Sequence, residues 1–495
     1  MTFEAKQMVA AAPAEPIFEK SVPGRRASQF PQGAFPGSSP ESSVPEHLLR
    51  REPAGLPEVS ELDLVRHFTN LSRKNWAIDV GAYPLGSCTM KYNPKIHDQI
   101  AALPGFRRLH PWQDARQAQG ALQVLWELER ALAELTGMSR VTFQPAAGAA
   151  GELAALLMIR AFHEAAGDAR TTVLIPDSAH GTNPATVTLA GYRTRQIPSN
   201  DKGLVDLEAL KKACDGSVAA LMLTNPNTLG RFEEEIEDVA AAVHGAGGLL
   251  YYDGANLNAI MGVVRPGDMG FDLVHMNLHK TFTTPHGSGG PGSGPVAAGE
   301  RLERFLPAPL VGRDESGRYF WDQDRPDSIG RVHGFHGNFA VALRAWAYIR
   351  CLGGSGLREV SERAVLNAAY LRSLIEDAFP MSHPGPTMHE FVSTARPYRN
   401  AGVRAFDVAK RLIDLGFHPP TVYFPKIAEE ALMIEPTETE SRQTLDALAG
   451  ALLQIAAEAR ENPDLLRQAP VTTPVGRLDE ATAARTPRLR WWPDE

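Results

Sequence analysis

Between residues 141 and 280 short apolar runs alternate with segments of helical period, and this alternation constrains the fold more than any other feature. "VTFQP", "TTVLIP", "GYRTRQIP", "VAALMLTNPNT", "GLLYYDGAN" and "DLVHMNLHK" read as strands with their exit loops. Between them, "ELAALLMIRAFHEA", "DLEALKKAC" and "IEDVAAAVHGAG" read as helices. Strands alternating with helices of roughly 10–15 residues specify βαβ units and a mostly parallel sheet. Ligands of such sheets sit beyond the carboxyl ends of the strands. Gly148, His180, Asn225, Asp253 and Lys280 each fall at or just past such an end, so residues far apart in sequence are expected along one sheet edge.

The flanks read differently. Residues 1–60 form an extended arm, because "FPQGAFPGSSPESSVPE" carries too much Pro, Gly and Ser for a helix or strand of any length. Residues 61–116 are a segment contributing to the site. Residues 117–345 form the large domain, entered by a helix "QAQGALQVLWELERALAEL" that Gly137 ends. Residues 346–495 form a smaller α+β domain, preceded and begun by helical stretches at 337–352 and 357–378 and followed by "HEFVST", "AFDVAKRLIDLG" and "ALMIEPTE". A formal charge of −8 argues against broad nucleic-acid or anionic-membrane binding. Cys88, Cys214 and Cys351 are odd in number and far apart, which matches neither a disulfide framework nor a zinc spacing. No apolar run spans a bilayer and no secretory signal opens the chain, so a cytoplasmic protein is expected.

Several residues are able to carry chemistry. Lys280 follows an apolar strand and precedes the loop "GSGGPGSG", whose glycines would let backbone approach a flat ligand. It is either an exposed lysine or an amine desolvated for Schiff-base chemistry. Asp253 ends "LLYYDGAN". An acid there needs a buried partner, and a protonated pyridine nitrogen is one; a helix cap or a metal ligand are the others. No His-x-x-x-His or acid cluster accompanies it, so no metal site is expected. His180 is either a ring that stacks on a planar cofactor or a loop histidine bonded to backbone. "QPAAGAAGE" puts small residues at a helix start, where free N–H groups and the helix dipole favour an anion, or where close packing needs them. It is neither a Walker A nor a Rossmann loop. Asn225 in "TNPNTLG" is a polar contact or a turn residue. "YPLGSCTMKYNP" offers Cys88 no identifiable base, so the segment reads as binding.

Taken with "DSAHGTNPA", "DGANLNAI", "NLHKTFTTPHG", "GFHPPTVYFP", "ALMIEPTETES" and "TPVGRLDEATAAR", these stretches resemble the glycine dehydrogenases (decarboxylating), the P-proteins of the glycine cleavage system. The likeness is to the second subunits of the two-subunit form and covers roughly residues 60–490. Ser288 stands where the family pattern leads one to expect glycine, and the arm before about residue 45 is longer than usual. The resemblance implies a pyridoxal-phosphate (PLP) enzyme of fold type I, aspartate-aminotransferase-like, with the cofactor covalently on Lys280. It implies that Asp253 holds the pyridine nitrogen protonated, that His180 stacks on the ring, and that Gly148 and Ala149 receive the phosphate. Thr224, Asn225 and Asn256 become polar contacts, and His279 faces either the reaction or the phosphate. The implied activity is decarboxylation of glycine with transfer of the aminomethyl group to the lipoyl group of H-protein. A lysine-lacking subunit 1 is the implied partner in an α2β2 assembly. The rival readings are another fold-type I decarboxylase or aminotransferase, and a non-catalytic scaffold subunit. Arg331 and Arg396 are available for the glycine carboxylate.

Overall fold

Seven strands form the central sheet in the computed structural model, which describes residues 15–27, 43–52, 54–286 and 292–490. They are β1 (Arg140–Thr142), β2 (Thr172–Pro176), β3 (Arg193–Ile197), β4 (Val218–Thr224), β5 (Leu249–Gly254), β6 (Leu273–Met276) and β7 (Val296–Ala298), in the order β1-β7-β6-β5-β4-β2-β3. Strands β2 to β6 pair in parallel, while β7 runs antiparallel to both β6 and β1. Every residue of β4 and β5 is buried, as expected where helices cover both faces of a parallel sheet. The two faces feed separate cores. Leu221, Leu223, Leu250, Tyr252 and Val274 pack on one side with helix α1 (Gln119–Thr136). Ala220, Met222, Leu249, Tyr251 and Leu273 pack on the other with α2 (Gly148–Ala165). This is the period-2 alternation of a strand, written here in residues that are apolar on both faces. Gly137 ends α1 at φ 70°, as the sequence predicts.

Helices α3 (Thr182–Leu189), α4 (Leu207–Ala213) and α5 (Ile236–Gly245) fill the crossovers, and the short α6 (Leu278–Thr281) follows β6. A hairpin of β8 (Leu310–Arg313) and β9 (Tyr319–Asp322) comes next. The helical stretches expected at 337–352 and 357–378 run as one element, α7 (Phe339–Ile375), broken at Gly353 where φ is 64°. A second sheet follows, β10 (Phe391–Thr394), β11 (Thr421–Val422) and β12 (Ala431–Ile434), antiparallel in the order β10-β12-β11. With α8 (Ala405–Asp414) and α9 (Arg442–Glu461) it builds its own core around Phe391, Val408, Leu432, Ile434 and Ile455.

Residues 81–467 form one compact unit, and residues before 81 with those after 467 form another. Residues 61–80 therefore group with the arm, and the last residues of the chain leave the C-terminal α+β segment. The described part of the arm includes the short 3-10 turns Ile17–Lys20 and Glu46–Leu48. Much of "FPQGAFPGSSPESSVPE" lies outside the described residues, as do most of the glycine-rich loop and Ser288. Among the described residues no helix is long and apolar enough to cross a membrane.

Candidate active site

Parallel register brings the first site residues together. Thr224 is level with Asp253 across β4 and β5, and Asp253 with His275 across β5 and β6. Asp253 is buried, and each of its carboxylate oxygens has a partner. Oδ2 accepts Asn183 Nδ2 at 3.0 Å; Oδ1 accepts the Ala255 N–H at 3.1 Å and lies 3.5 Å from His275 Nε2. Tyr251 Oη is 2.5 Å from His275 Nδ1. Burial works against the charge, but His275, Asn183 and the Ala255 N–H outweigh it and hold the carboxyl below its ordinary range.

Lys280 is half-buried on α6, and its Nζ donates to the carbonyl of Ser87 at 2.7 Å. The rest of the site comes from the start of α2. That helix has no side-chain cap and no acid in its first turn. Beside it, Asn277 Oδ1 and Ser293 Oγ are buried without a hydrogen-bond partner among the described residues. A Cβ at Gly148 would come within 2.8 Å of Asn277 Oδ1. These features leave uncapped N–H groups and the Asn277 side chain at the same spot.

One cavity of about 160 Å³ joins these groups. Gly148, Ala149, His180, Thr224, Asp253, Asn256, His279 and Lys280 all line it, with Ser87, Glu152, Thr182, Thr228, His275 and Asn277. His180 is exposed, its Nδ1 2.9 Å from Thr182 Oγ1, and Thr182 in turn donates to Glu152. His279 accepts the Ser293 N–H at Nδ1, on the side of the α2 start; burial, with His286 and Lys280 nearby, depresses it to about 3, so it is a neutral imidazole. Asn256 donates to the Pro226 carbonyl and to Glu390, and its Oδ1 is buried without a partner among the described residues.

Asn225 is placed differently from the expectation. It does not line the cavity; its Oδ1 accepts the Glu233 N–H and its backbone carbonyl accepts Tyr252 Oη. The turn reading of "TNPNTLG" is the one its side chain follows. Neither arginine named from sequence lines the cavity: Arg331 lies over the Trp112 ring, and Arg396 pairs with Glu429 at the surface. His275, Asn183 and Asn277 were not singled out from sequence, while Ser87 lies in the segment read there as binding. A histidine inside the apolar strand "DLVHM" was the one signal on offer for the first.

A flat cofactor with an anionic tail and a basic ring nitrogen fits this donor set. The helix start with Asn277 suits a phosphate, Asp253 a protonated ring nitrogen, and Lys280 an aldehyde. The aminotransferase class-V family model matches residues 110–290, and the model of the glycine dehydrogenase C-terminal domain matches residues 360–469. In the solved structure of glycine decarboxylase (P-protein) of the glycine cleavage system, 94% of that chain superposes on 84% of this one with a TM-score of 0.69 at 24% identity. Glutamate decarboxylase of Lactobacillus brevis gives 0.63 at 13% identity, over 83% of this chain and 95% of that one. Both likenesses concern the fold. Fold and site together define a PLP-dependent enzyme of fold type I. Over 476 residues the chain is 56% identical to the probable glycine dehydrogenase (decarboxylating) subunit 2 of Caldanaerobacter subterraneus, covering 96% of this chain and 98% of the relative. The protein of the same description from Bacillus licheniformis matches with the same identity and coverage. The chain belongs to the glycine dehydrogenase (decarboxylating) subunit 2 family.

Proposed function

We propose that this chain is the PLP-carrying subunit of a glycine-decarboxylating enzyme that passes the aminomethyl group to the lipoyl group of H-protein. The observation that carries the reading is that Lys280, Asp253 and the uncapped start of α2 line one cavity, inside a chain of this family. In the net reaction the C–C bond of glycine breaks and CO2 leaves. Its electron pair forms a bond from the remaining carbon to one sulfur of the lipoyl disulfide, and the other sulfur departs as a thiolate and takes a proton. Bound PLP supplies the electron sink for that pair.

The chain's own residues do the rest. Lys280 anchors the cofactor through its amine. Asp253, kept ionised by Asn183, the Ala255 N–H and His275, holds a proton on the ring nitrogen. The α2 start, with Asn277, receives the phosphate, and Gly148 and Ala149 keep that approach open. His180 lies on the open side as the stacking ring. Thr224 and Asn256 are polar contacts, the latter through its buried Oδ1. Neutral His279 is better placed to serve the phosphate end than to move a proton. Asn225 acts only through its loop. The partner is a subunit 1 that lacks the lysine, in an α2β2 assembly in the cytoplasm.

Exchange of labelled bicarbonate into the carboxyl of glycine, with lipoylated H-protein present, tests the activity. Borohydride trapping of a coenzyme adduct, lost in Lys280→Ala, tests the anchor. A wild-type chain that traps no adduct and catalyses no exchange in the presence of subunit 1 would defeat the reading.

A further inference from the structure

Outside the cavity lining, behind the loop that carries Ser87, three fully buried side chains flanking β10 and β12 meet: His389, Glu390 and Glu435. Their polar atoms lie within 4.8 Å of one another. The antiparallel register explains the meeting. Phe391 is paired with Ile434, so Glu390 and Glu435 face each other one step further along the ladder. No step described above uses them.

Their contacts run to the site. Glu390 Oε2 accepts the Ser87 N–H at 2.8 Å, and Oε1 accepts Asn256 Nδ2 at 3.0 Å. Glu435 Oε2 accepts the Thr89 N–H at 3.0 Å. Ser87 and Thr89 have φ of 66° and 45°, a left-handed conformation that side-chain-bearing residues rarely adopt. The two carboxyl groups therefore hold an unfavourable loop shape, and that shape turns the Ser87 carbonyl to Lys280 Nζ.

Two carboxylates in one dry pocket do not both ionise readily. The charged and titratable groups facing them are Lys280, Cys88, Glu438 and Lys91, and Lys91 is taken by Glu438. Hydrogen bonding assigns the proton. Both oxygens of Glu390 accept N–H donors, as a carboxylate does. Glu435 Oε1 and both ring nitrogens of His389 are buried without a partner among the described residues, and His389 Nε2 lies 3.8 Å from that oxygen. Burial depresses His389 to about 3, so the ring is neutral and able to accept.

We propose that Glu390, as carboxylate, and Glu435, as carboxylic acid, form a proton-sharing positioning pair that shapes the 87–89 loop around the coenzyme lysine. The inference rests on the reading that Lys280 carries PLP. Burial raises both carboxyls, Glu390 well above the ordinary range and Glu435 to about 7, so the pair still holds a proton at neutral pH. When that proton leaves at higher pH, a second negative charge appears in the pocket and the loop loosens.

The test is PLP capture by the full-length chain, stripped of coenzyme and reloaded, followed by absorbance across pH. The wild-type rate should carry a limb that falls as pH rises above about 7. Glu435→Gln, which mimics the acid form, should load within about twofold of wild type at pH 6 and lack that limb. Glu390→Gln turns an amide N–H towards a donor and should weaken PLP retention by about tenfold or more. If Glu390→Gln does not fold, the Glu435→Gln profile decides alone. A limb retained in Glu435→Gln, an equal loss in both variants, or a tightly held metal ion in the cluster would overturn the proposal. Failure of the PLP reading itself shows separately, as absence of any adduct in the wild type.

Discussion

Lys91→Met should destabilise this protein severely, although Lys91 lies outside the cavity. Its Nζ donates to Glu438 Oε1 at 2.7 Å, to Asn258 Oδ1 at 2.8 Å and to Tyr348 Oη at 3.2 Å. The lysine side chain is 1% exposed and that of Glu438 6%. Removing one partner of a pair this deep leaves the other charge buried and bare, which costs about 3–5 kcal/mol. Glu438 would keep only Asn258 Nδ2, at 3.1 Å. Replacing both partners by apolar residues removes the charge along with its partner, so Lys91→Met with Glu438→Leu should return to within about 1–2 kcal/mol of wild type. Urea unfolding of the four proteins of the cycle, followed by circular dichroism, measures this. A single-variant loss below about 1 kcal/mol, or a double variant less stable than Lys91→Met, would refute the reasoning. The pH dependence gives a second check. Burial works against the ammonium, but Glu438 and Tyr348 outweigh it and hold Lys91 above the usual lysine range. The folded value is then higher than the unfolded one. The stabilisation is complete below the unfolded value of about 10.4 and is lost as pH rises through the folded value. Lys91→Met should lack that alkaline loss. Because Lys91 shares its loop with Ser87, weaker PLP retention should accompany the instability.

Three further outcomes are expected. Gly148→Ala brings a Cβ within 2.8 Å of Asn277 Oδ1 and should weaken PLP retention by about tenfold, read by spectrophotometric titration; unchanged retention would argue against the phosphate site. Gly230→Ala forces a side chain onto a residue with φ 73° and puts its Cβ 1.9 Å from the Glu390 carbonyl, so a loss of about 3 kcal/mol in urea unfolding is expected. Burial depresses His286 from 6.5 to about 4, so the unfolded chain takes up a proton there before the folded one does. Stability should decline as pH falls from about 6.5 towards 4, and His286→Gln should make that decline shallower when unfolding is measured at several pH values.

The site was legible in sequence where local pattern and topology act together. Asp253 and Lys280 each follow an apolar strand, and parallel βαβ connections deliver such positions to one edge whatever the details of packing. The C-terminal sheet was visible as "HEFVST" and "ALMIEPTE", but the acids at its ends were not legible as a pair. Glu390 and Glu435 meet only because β10 and β12 run antiparallel in one register; a one-residue slip would separate them. His275 was hidden by the apolar run around it. Asn225 shows the converse: its sequence position was right for a contact, but its side chain turns into its own loop to satisfy the Glu233 N–H.

The amino-acid sequence by itself determined the layered α/β architecture, because strand and helix periods and the glycines that end them are local properties. It also determined which strand ends bear the lysine and the acid, and, through motifs spread over most of its length, the family. Tertiary structure alone decided the partners. The Ser87 carbonyl against Lys280, the His275 ring against Asp253, and the buried acids behind the loop join residues 22 to 346 positions apart. Such contacts depend on register and on the need of every buried polar group for a partner, and neither is written in any short stretch of chain.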